Sequence, residues 1–284
     1  MKGELRLESP AKINLRLEII KRREDGYHEL KTIFQKISLH DTLSFSLREE
    51  KGIHIQTDHP RLSTGGGNLV YPAAHSMLVR SGYGGGVFIH IGKRIPLGAG
   101  LGGGSSNAAM TLKALNQLLG MGLNQKELMK MGLAIGADVP FFLTDGPAIG
   151  SGIGERLKRI DLPRPYYVLI YPNFEVSSQW VYQNFVLTKR HFHLNLQKLP
   201  KTCGEILQLL WNDLEWVVSE KYPEIGQMKE MLLSAGASGA IMTGSGPTVF
   251  GLFSSEKKAT EAYQRLKRKV RERGWKVILA HGIP

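Results

Sequence analysis

The chain has 284 residues, of which 42% are hydrophobic and 22% charged, and its formal net charge is +12. These values predict an ordinary soluble globular protein with one large or two modest domains. A single cysteine, Cys203, excludes an internal disulfide and favours a reducing, cytoplasmic location. No signal peptide is expected at Met1–Pro10, and no apolar run approaches the roughly 20 residues that span a bilayer.

The positive charge is compatible with a nucleic-acid binder or with an enzyme for anionic substrates. Its densest run is Lys257–Arg273, where four apolar residues recur at helical spacing. That pattern favours the solvated face of an amphipathic helix over a dedicated basic patch. Charge alone therefore does not decide between the two classes.

Strands and helices are both predicted in the first half of the chain. Alternating apolar residues predict strands within the first fifty residues, separated by a turn at Asp25-Gly26, and a further strand at Val87–Ile91. A helix is predicted at Gln125–Ile135, because Asn124 and Glu127 have capping-box spacing.

The second half of the chain also mixes the two kinds of element. A strand is predicted at Tyr167–Tyr171, helices at about 203–220 and 223–235, a strand at about 239–253 broken by Gly244 and Gly246, and a last strand at Val277–Ala280. This order favours an α+β fold. The glycine-rich stretch Gly146–Gly154 predicts a domain junction, giving domains 1–154 and 155–284, unless the last few residues return to the first domain.

A glycine-rich segment carries the strongest functional signal. It comprises Pro96, Leu97, Gly98, Ala99, Gly100, Leu101, Gly102, Gly103, Gly104, Ser105 and Ser106. Glycines let backbone N–H groups approach a phosphate, and a helix starting at Ser105 would direct its free N–H groups there. Ser105, Ser106 and Asn107 are good N-cap residues, and the two serines could also donate to a phosphate or bind magnesium. The segment therefore predicts a polyphosphate-binding loop.

Three other interpretations of this segment fit less well. A P-loop needs a lysine where Ser105 stands. Gly98, Gly100 and Gly103 match the dinucleotide pattern, but no acidic residue follows about 20 residues later. A plain flexible loop would lose much conformational entropy on ordering without a ligand to offset it.

An aspartate and a lysine are the candidate catalytic pair. Asp138 follows a predicted helix and precedes Pro140, so its carboxylate is expected on a loop; the alternative is a local turn cap. Lys12 and Asn14 share one face of a predicted strand, because alternate residues point the same way. Taken alone, that pair would be a solvated strand face.

The segment Pro96–Ser106 resembles the P-x-x-x-G-L-G-S/G-S-S phosphate loop of the GHMP kinases. Ser9–Leu15 and Gly136–Phe142 resemble two more active-site segments of that family, and Thr243–Thr248 resembles its C-terminal glycine motif. The resemblance runs from Leu7 to about Phe253. It implies a two-domain α+β fold, with an N-terminal ribosomal S5 domain 2-like ATP domain and a C-terminal ferredoxin-like substrate domain.

The resemblance also implies roles for individual residues. ATP, with Mg²⁺ expected beside it, would be bound by the loop together with Asn68 and Lys93, while the metal ligands stay unknown and Ser106 is a candidate. Asp138 would accept the proton of the attacking hydroxyl, and Lys12 would keep that carboxylate ionised and offset charge on the phosphoryl group. Gly244 and Ser245 would line the substrate site.

The segment Gly26–Leu30 resembles the G-Y-H-x-L sequence of the family branch whose substrate carries a cytidyl group. It implies phosphorylation of the 2-hydroxyl of 4-diphosphocytidyl-2-C-methylerythritol. Tyr27 would stack on cytosine, His28 would read its edge, and Asn14 would contact substrate. The second stacking ring would be Tyr182, with Trp180 and Phe185 as alternatives. In isolation, Tyr27 and His28 would be an ordinary turn.

Two other functions stay open at this point. Another GHMP kinase, such as one for homoserine or mevalonate, is disfavoured by Gly26-Tyr27-His28. A non-enzymatic RNA-binding protein with an S5-like domain would show a clustered basic patch with interleaved aromatic residues. The expected partners are ATP and a cytidine diphosphate-linked methylerythritol, without nucleic acid or membrane, in a monomer or weak homodimer.

Overall fold

The computed structural model describes residues 4–187 and 199–284. The chain divides into two compact units. The first unit contains the residues up to Ala11, His40–Leu97 and Gly102–Asp145, and the second contains Lys12–Leu39, Gly98–Leu101 and Gly146–Pro284. The sequence boundary between 154 and 155 stays a prediction. No helix in the two described stretches is long and apolar enough to cross a membrane.

Eleven strands and eight α-helices make up the described residues. The strands are β1 (Leu5–Arg22), β2 (His28–Arg48), β3 (Gly52–Thr57), β4 (Gly86–Gly92), β5 (Ala148–Gly152), β6 (Arg156–Arg159), β7 (Tyr166–Tyr171), β8 (Trp211–Asn212), β9 (Gly239–Met242), β10 (Val249–Phe253) and β11 (Lys276–His281). The helices are α1 (Val70–Ser81), α2 (Gly103–Leu118), α3 (Gln125–Ile135), α4 (Val139–Phe142), α5 (Ser178–Asn184), α6 (Glu215–Lys221), α7 (Glu224–Ser234) and α8 (Glu256–Glu272), with a 3₁₀ turn at Glu205–Leu209.

The strands form two sheets, which confirms the predicted α+β class. Seven strands follow the order β3-β4-β2-β1-β8, with β5 paired to β2 and β6 paired to β5. The other four form an antiparallel sheet in the order β11-β7-β10-β9. Helices α7 and α8 pack on that second sheet.

Helix α8 confirms the amphipathic interpretation of the basic run. Its apolar residues Ala259, Ala262, Leu266 and Val270 are buried, so its many cations lie on the outer face. Ser255 caps the first turn by accepting from the backbone N–H of Lys258. The cations of α8 therefore form the solvent-facing side of an amphipathic helix.

In the first unit, α1, α2 and α3 pack against one another. Both hydrogen bonds of the predicted capping box form: Asn124 accepts from the backbone of Glu127, and Glu127 accepts from the backbone of Asn124. Helix α3 begins and ends where the sequence predicts, at Gln125 and Ile135. The predicted turn at Gly26 is also confirmed, with φ at +85° between β1 and β2.

The predicted helix at 203–220 forms only in its last part, as α6. A 3₁₀ turn, the strand β8 and the seven-residue helix α6 occupy this stretch instead. Strand β8 pairs in parallel with Arg16 and Leu17 of β1, and Asp213 accepts from the backbone N–H of Ile19 at 2.7 Å. Tertiary pairing with a distant strand therefore overrides the local helical pattern.

The glycine-rich stretch 146–154 contains a regular strand, β5, which pairs with residues 30–34 of β2. A Cβ on Gly150 would lie 2.8 Å from the Phe34 ring, so the glycine allows close strand packing.

Candidate active site

The glycine loop winds through three left-handed glycines before the helix. Gly98, Gly100 and Gly102 have φ of +58°, +76° and +69°. Helix α2 then begins at Gly103, two residues earlier than predicted, and Gly102 takes the N-cap position without any side-chain cap bond. The first-turn N–H groups of α2 therefore have no capping side chain, as an anion-binding helix terminus requires.

The expected N-cap role of Ser105, Ser106 and Asn107 is wrong, because all three lie inside α2. The Ser9 hydroxyl lies 2.8 Å from the Ser106 hydroxyl and 2.7 Å from the Asn107 side-chain oxygen. Ser9, Ser106 and Asn107 are at most 1% exposed, so this buried cluster attaches α2 to β1. Ser105 stays half-buried, next to the exposed Gly104.

Two loop glycines lie so close to other parts of the chain that a side chain at either position would clash. In the second unit, a Cβ on Gly98 would lie 2.6 Å from the Glu175 side chain. A Cβ on Gly100 would lie 2.5 Å from the carbonyl oxygen of Thr243. Packing therefore demands glycine at both positions, a reason that the sequence pattern did not show.

Gly104 is different, since a Cβ there would meet only a Leu69 methyl group, at 3.7 Å. We expect Gly104→Val to keep the fold and to weaken ATP binding by roughly 10–100-fold, the effect of losing one or two backbone bonds to a charged phosphate. The binding of the cytidyl substrate should not change. Titration calorimetry with each ligand measures both.

The matched control is Gly84→Val, because Gly84 is also exposed and has no atom within 4 Å of its added Cβ. Gly103 is a poorer test position, since a Cβ there would lie 3.0 Å from Ile95. Equal weakening of both ligands by Gly104→Val would argue against a phosphate-binding role.

Lys93 lies in a buried ion pair at the base of the loop. Its ammonium is 2.7 Å from Asp41, with side-chain exposures of 2% and 0%. Asp41 also accepts from the backbone N–H groups of Arg94 and Ile95, at 2.7 and 2.8 Å. Burial lowers the pKa of Lys93, although Asp41 opposes that shift. Asp41, which sequence reasoning missed, therefore fixes the chain entering the loop; the predicted contact of Lys93 with ATP stays a prediction.

Asn68 shapes the start of α1. Its amide nitrogen donates to the Ser63 carbonyl at 2.8 Å, and its side-chain oxygen accepts from the Val70 backbone at 3.1 Å. The neighbouring Leu69 is the residue nearest to the Gly104 position. Asn68 thus fixes the start of α1, and its neighbour Leu69 lies beside Gly104 in the first turn of α2, within the first unit.

Lys12 and Asn14 are buried, so the solvated-strand alternative is wrong. They are 4% and 2% exposed, on a strand that is covered on both faces from Ala11 to Ile19. The Lys12 ammonium donates to the Asn14 side-chain oxygen at 2.7 Å. The prediction that the two side chains share a face is confirmed.

The turn between β9 and β10 lies against this pair in the second unit. Gly244 has φ of +58°, and a Cβ on it would lie 3.3 Å from both the Lys12 ammonium and the Asn14 oxygen. The same Cβ would lie 3.2 Å from the Gly100 carbonyl. The structure thus brings together Lys12, Asn14, Gly100 and Gly244, which are far apart in sequence.

Asn212 holds this turn in place, and sequence reasoning missed it. Its amide donates to the carbonyl groups of Met242 and Gly244, both at 2.8 Å, and its oxygen accepts from Leu214. The predicted substrate residue Ser245 shares a 2.6 Å hydrogen bond with Ser178, at the start of α5. An isolated Asn in a predicted helix gave no signal for this role.

The histidine of the Gly26–Leu30 segment stacks on Tyr182. The ring centroids of His28 and Tyr182 are 5.4 Å apart, with an interplanar angle of 29°, and Phe185 meets His28 edge-on at 6.2 Å. Trp180 instead packs edge-on against Tyr222. Tyr27 is 61% exposed. Burial, followed by the charge of Arg22, lowers the pKa of His28, so the imidazole is neutral at pH 7.

Asp138 lies in the first unit, between α3 and α4. It occupies the N-cap position of α4 and makes no side-chain cap hydrogen bond to that helix. Val139, Pro140, Phe141 and Phe142 are all buried, so they fix the backbone that carries the half-buried carboxylate.

Comparison with known proteins identifies the family of this chain. Residues 68–146 match the GHMP kinases N terminal domain, and residues 195–272 match the GHMP kinases C terminal domain. A crystal structure of 4-(cytidine 5'-diphospho)-2C-methyl-D-erythritol kinase aligns with a TM-score of 0.83 and 35% identity, covering 99% of this chain and 100% of that one. A homoserine kinase from Cytophaga hutchinsonii aligns with a TM-score of 0.76 at 22% identity, which shows the shared fold alone.

Curated relatives match over almost the whole chain. The 4-diphosphocytidyl-2-C-methyl-D-erythritol kinase of Syntrophotalea carbinolica is 46% identical, covering 97% of this chain and 98% of the relative. The enzyme of the same name from Geobacter metallireducens is 45% identical, with coverages of 92% and 94%. The chain therefore belongs to the GHMP kinases and, within them, to the family of 4-diphosphocytidyl-2-C-methyl-D-erythritol kinases. It is a phosphotransferase, so the non-enzymatic alternative is wrong.

Proposed function

We propose that this enzyme transfers the γ-phosphoryl group of ATP to the 2-hydroxyl of 4-diphosphocytidyl-2-C-methyl-D-erythritol, giving the 2-phosphate and ADP. This step belongs to the non-mevalonate (methylerythritol phosphate) pathway to isoprenoid precursors. The observation that carries the proposal is identity of 41–48% to enzymes of that name, over nearly the full chain.

Incubating the protein with ATP and the cytidyl substrate should give ADP and the phosphorylated product in equal amounts. Homoserine or mevalonate in place of that substrate should give no ADP above background. ADP formation with homoserine or mevalonate, but not with the cytidyl compound, would contradict the proposal.

The loop and the N-terminus of α2 are proposed to bind the ATP phosphates. The first turn of α2 is uncapped, and Gly104 leaves its surface open. Backbone N–H groups and the helix dipole both favour an anion at such a terminus. Asn68 and Lys93 support this surface by ordering the segments beside it.

Magnesium is expected to enter with the nucleotide. No group of three or more His, Cys, Asp or Glu side chains within 4–187 and 199–284 could hold a metal ion. Mg²⁺ commonly keeps several waters and binds substrate phosphates with only one or two protein ligands. An ion that enters bound to the nucleotide therefore does not need such a group. Ser106 would have to leave its hydrogen bond to Ser9 to become a ligand.

Asp138 is proposed to accept the proton of the substrate 2-hydroxyl while the hydroxyl oxygen attacks the γ-phosphorus of ATP. The bond between that phosphorus and the oxygen that leaves with ADP breaks in the same step. Lys12 is proposed to keep the carboxylate ionised and to offset charge on the phosphoryl group. The support from this chain is a lysine that is buried and held by Asn14. Gly244 places backbone, without a side chain, beside that ammonium.

The aromatic group of Tyr27, His28 and Tyr182 is proposed to bind cytosine. A neutral imidazole can donate and accept one hydrogen bond each, which suits an uncharged base edge. Tyr27 is exposed and offers a free face, and stacking contributes about 1–3 kcal/mol per base.

The pH dependence of substrate binding should follow His28. Because its folded-state pKa is lowered, His28 binds a proton only below the ordinary histidine value of about 6.5. The Kd of the cytidyl substrate, measured without ATP, should be flat from about pH 8 to 6.5 and should rise at lower pH. A Kd that rises between pH 8 and 7 would contradict a neutral His28 at the site.

The enzyme is proposed to act in the cytoplasm as a monomer or weak homodimer. Nucleic acid and membrane are not expected partners. The net charge of +12 suits two polyanionic substrates.

A further inference from the structure

A buried threonine lies behind the Lys12–Asn14 pair. Thr32, on β2, is 1% exposed. Its hydroxyl donates to the carbonyl oxygen of Arg16 at 2.7 Å and accepts from the side-chain amide of Asn14 at 2.7 Å. All of these residues belong to the second unit.

These bonds have a fixed direction. A hydroxyl has one proton, and the Arg16 carbonyl can only accept, so the Thr32 oxygen can only accept from Asn14. Asn14 must therefore direct its NH₂ group to Thr32 and its oxygen to the other side. There the Lys12 ammonium, which can only donate, reaches that oxygen at 2.7 Å. A flipped amide would oppose oxygen to a hydroxyl oxygen and NH₂ to an ammonium.

Thr243 holds Asn14 from a second direction. The backbone N–H of Asn14 donates to the Thr243 hydroxyl at 2.9 Å, and that hydroxyl lies 3.4 Å from the Asn14 side-chain oxygen. The backbone and the side chain of Asn14 are both fixed, so its oxygen is a rigid acceptor for Lys12.

We propose that Thr32 is a positioning residue for phosphoryl transfer: its hydroxyl sets the amide orientation of Asn14, and Asn14 in turn holds the Lys12 ammonium. The inference rests on the proposed function in that Lys12 takes part in the transfer. Thr32 acts only through Asn14 and Lys12, since its own hydroxyl is already bonded on both sides. Its loss should therefore change the rate more than the binding of ATP.

The test compares Thr32→Val, which is nearly isosteric but lacks the hydroxyl, with Thr32→Ser, which keeps it. We expect Thr32→Val to lower kcat by roughly tenfold, with KM for ATP within about twofold, because Asn14 loses its bond to the Thr32 hydroxyl, an effect about the size of one buried hydrogen bond. Thr32→Ser should recover most of the rate. The matched control is Thr111→Val, since Thr111 is equally buried but its hydroxyl donates to Asn107 in its own helix.

A double-mutant cycle separates positioning from a structural role. In the Lys12→Met background, Thr32→Val should cause no further loss of kcat, because the residue it acts through is gone. Independent, multiplicative losses would overturn the inference, as would a Thr32→Ser variant as slow as Thr32→Val. Should Thr32→Val not fold, Thr32→Ala replaces it in the same comparison. ADP formation by the wild type tests the proposed function separately.

Discussion

Asp138→Asn is expected to lower turnover by about 10²–10⁴-fold, the usual effect of removing a positioned general base. The amide has nearly the shape of the carboxylate but cannot take the proton of the attacking hydroxyl. The buried residues Val139–Phe142 fix the backbone that carries Asp138. The fold and ATP affinity should therefore be kept. Rapid-quench measurement of kcat, with calorimetric ATP binding, checks both parts.

A matched control is Asp145→Asn, because Asp145 is an exposed carboxylate shortly after α4. It removes the same charge and should leave kcat within about twofold, as is usual for surface substitutions. Lys12→Met should lower turnover much as Asp138→Asn does. Near-normal turnover of Asp138→Asn would remove Asp138 from the mechanism, whereas loss of ATP binding along with turnover would indicate a disturbed fold.

Removing the cytidyl group from the substrate is expected to lower kcat/KM by about 10³-fold or more. Stacking on one base contributes about 1–3 kcal/mol, and polar groups left unpaired at the base edge cost about 1–3 kcal/mol each. This energy is remote from the reacting hydroxyl, so it serves to position that hydroxyl, and kcat should fall along with the rise in KM. The measurement compares the full substrate with 2-C-methylerythritol 4-phosphate.

Two further comparisons locate this effect. A uracil analogue should also be poor, since it replaces the amino donor of cytosine by a carbonyl. Tyr27→Ala should cost about 1–3 kcal/mol on the full substrate, almost nothing on ATP, and little on the truncated compound. Equal efficiency of truncated and full substrates would contradict recognition of the base by this site.

The sequence by itself determined the features that depend on neighbouring residues. The capping box at Asn124 and Glu127, the turn at Gly26, the break between β9 and β10, and a glycine loop leading into a helix all follow from contacts within a few residues. The shared face of Lys12 and Asn14 follows from strand alternation in the same way. Such signals are local, so no knowledge of the partner segments was needed.

Only the tertiary structure decided what lies against these elements. The 203–220 segment forms β8 because it pairs with β1, nearly two hundred residues earlier, and Asn212 then fixes the turn at Gly244. Helix α2 begins at Gly103, and Ser106 and Asn107 inside it bond to Ser9 instead of capping the helix. His28 meets Tyr182, which lies far along the chain. Thr32 of β2 meets Asn14 of the neighbouring strand β1. The sequence predicts which side chains could interact, but burial and hydrogen bonding between distant segments determine which of them do.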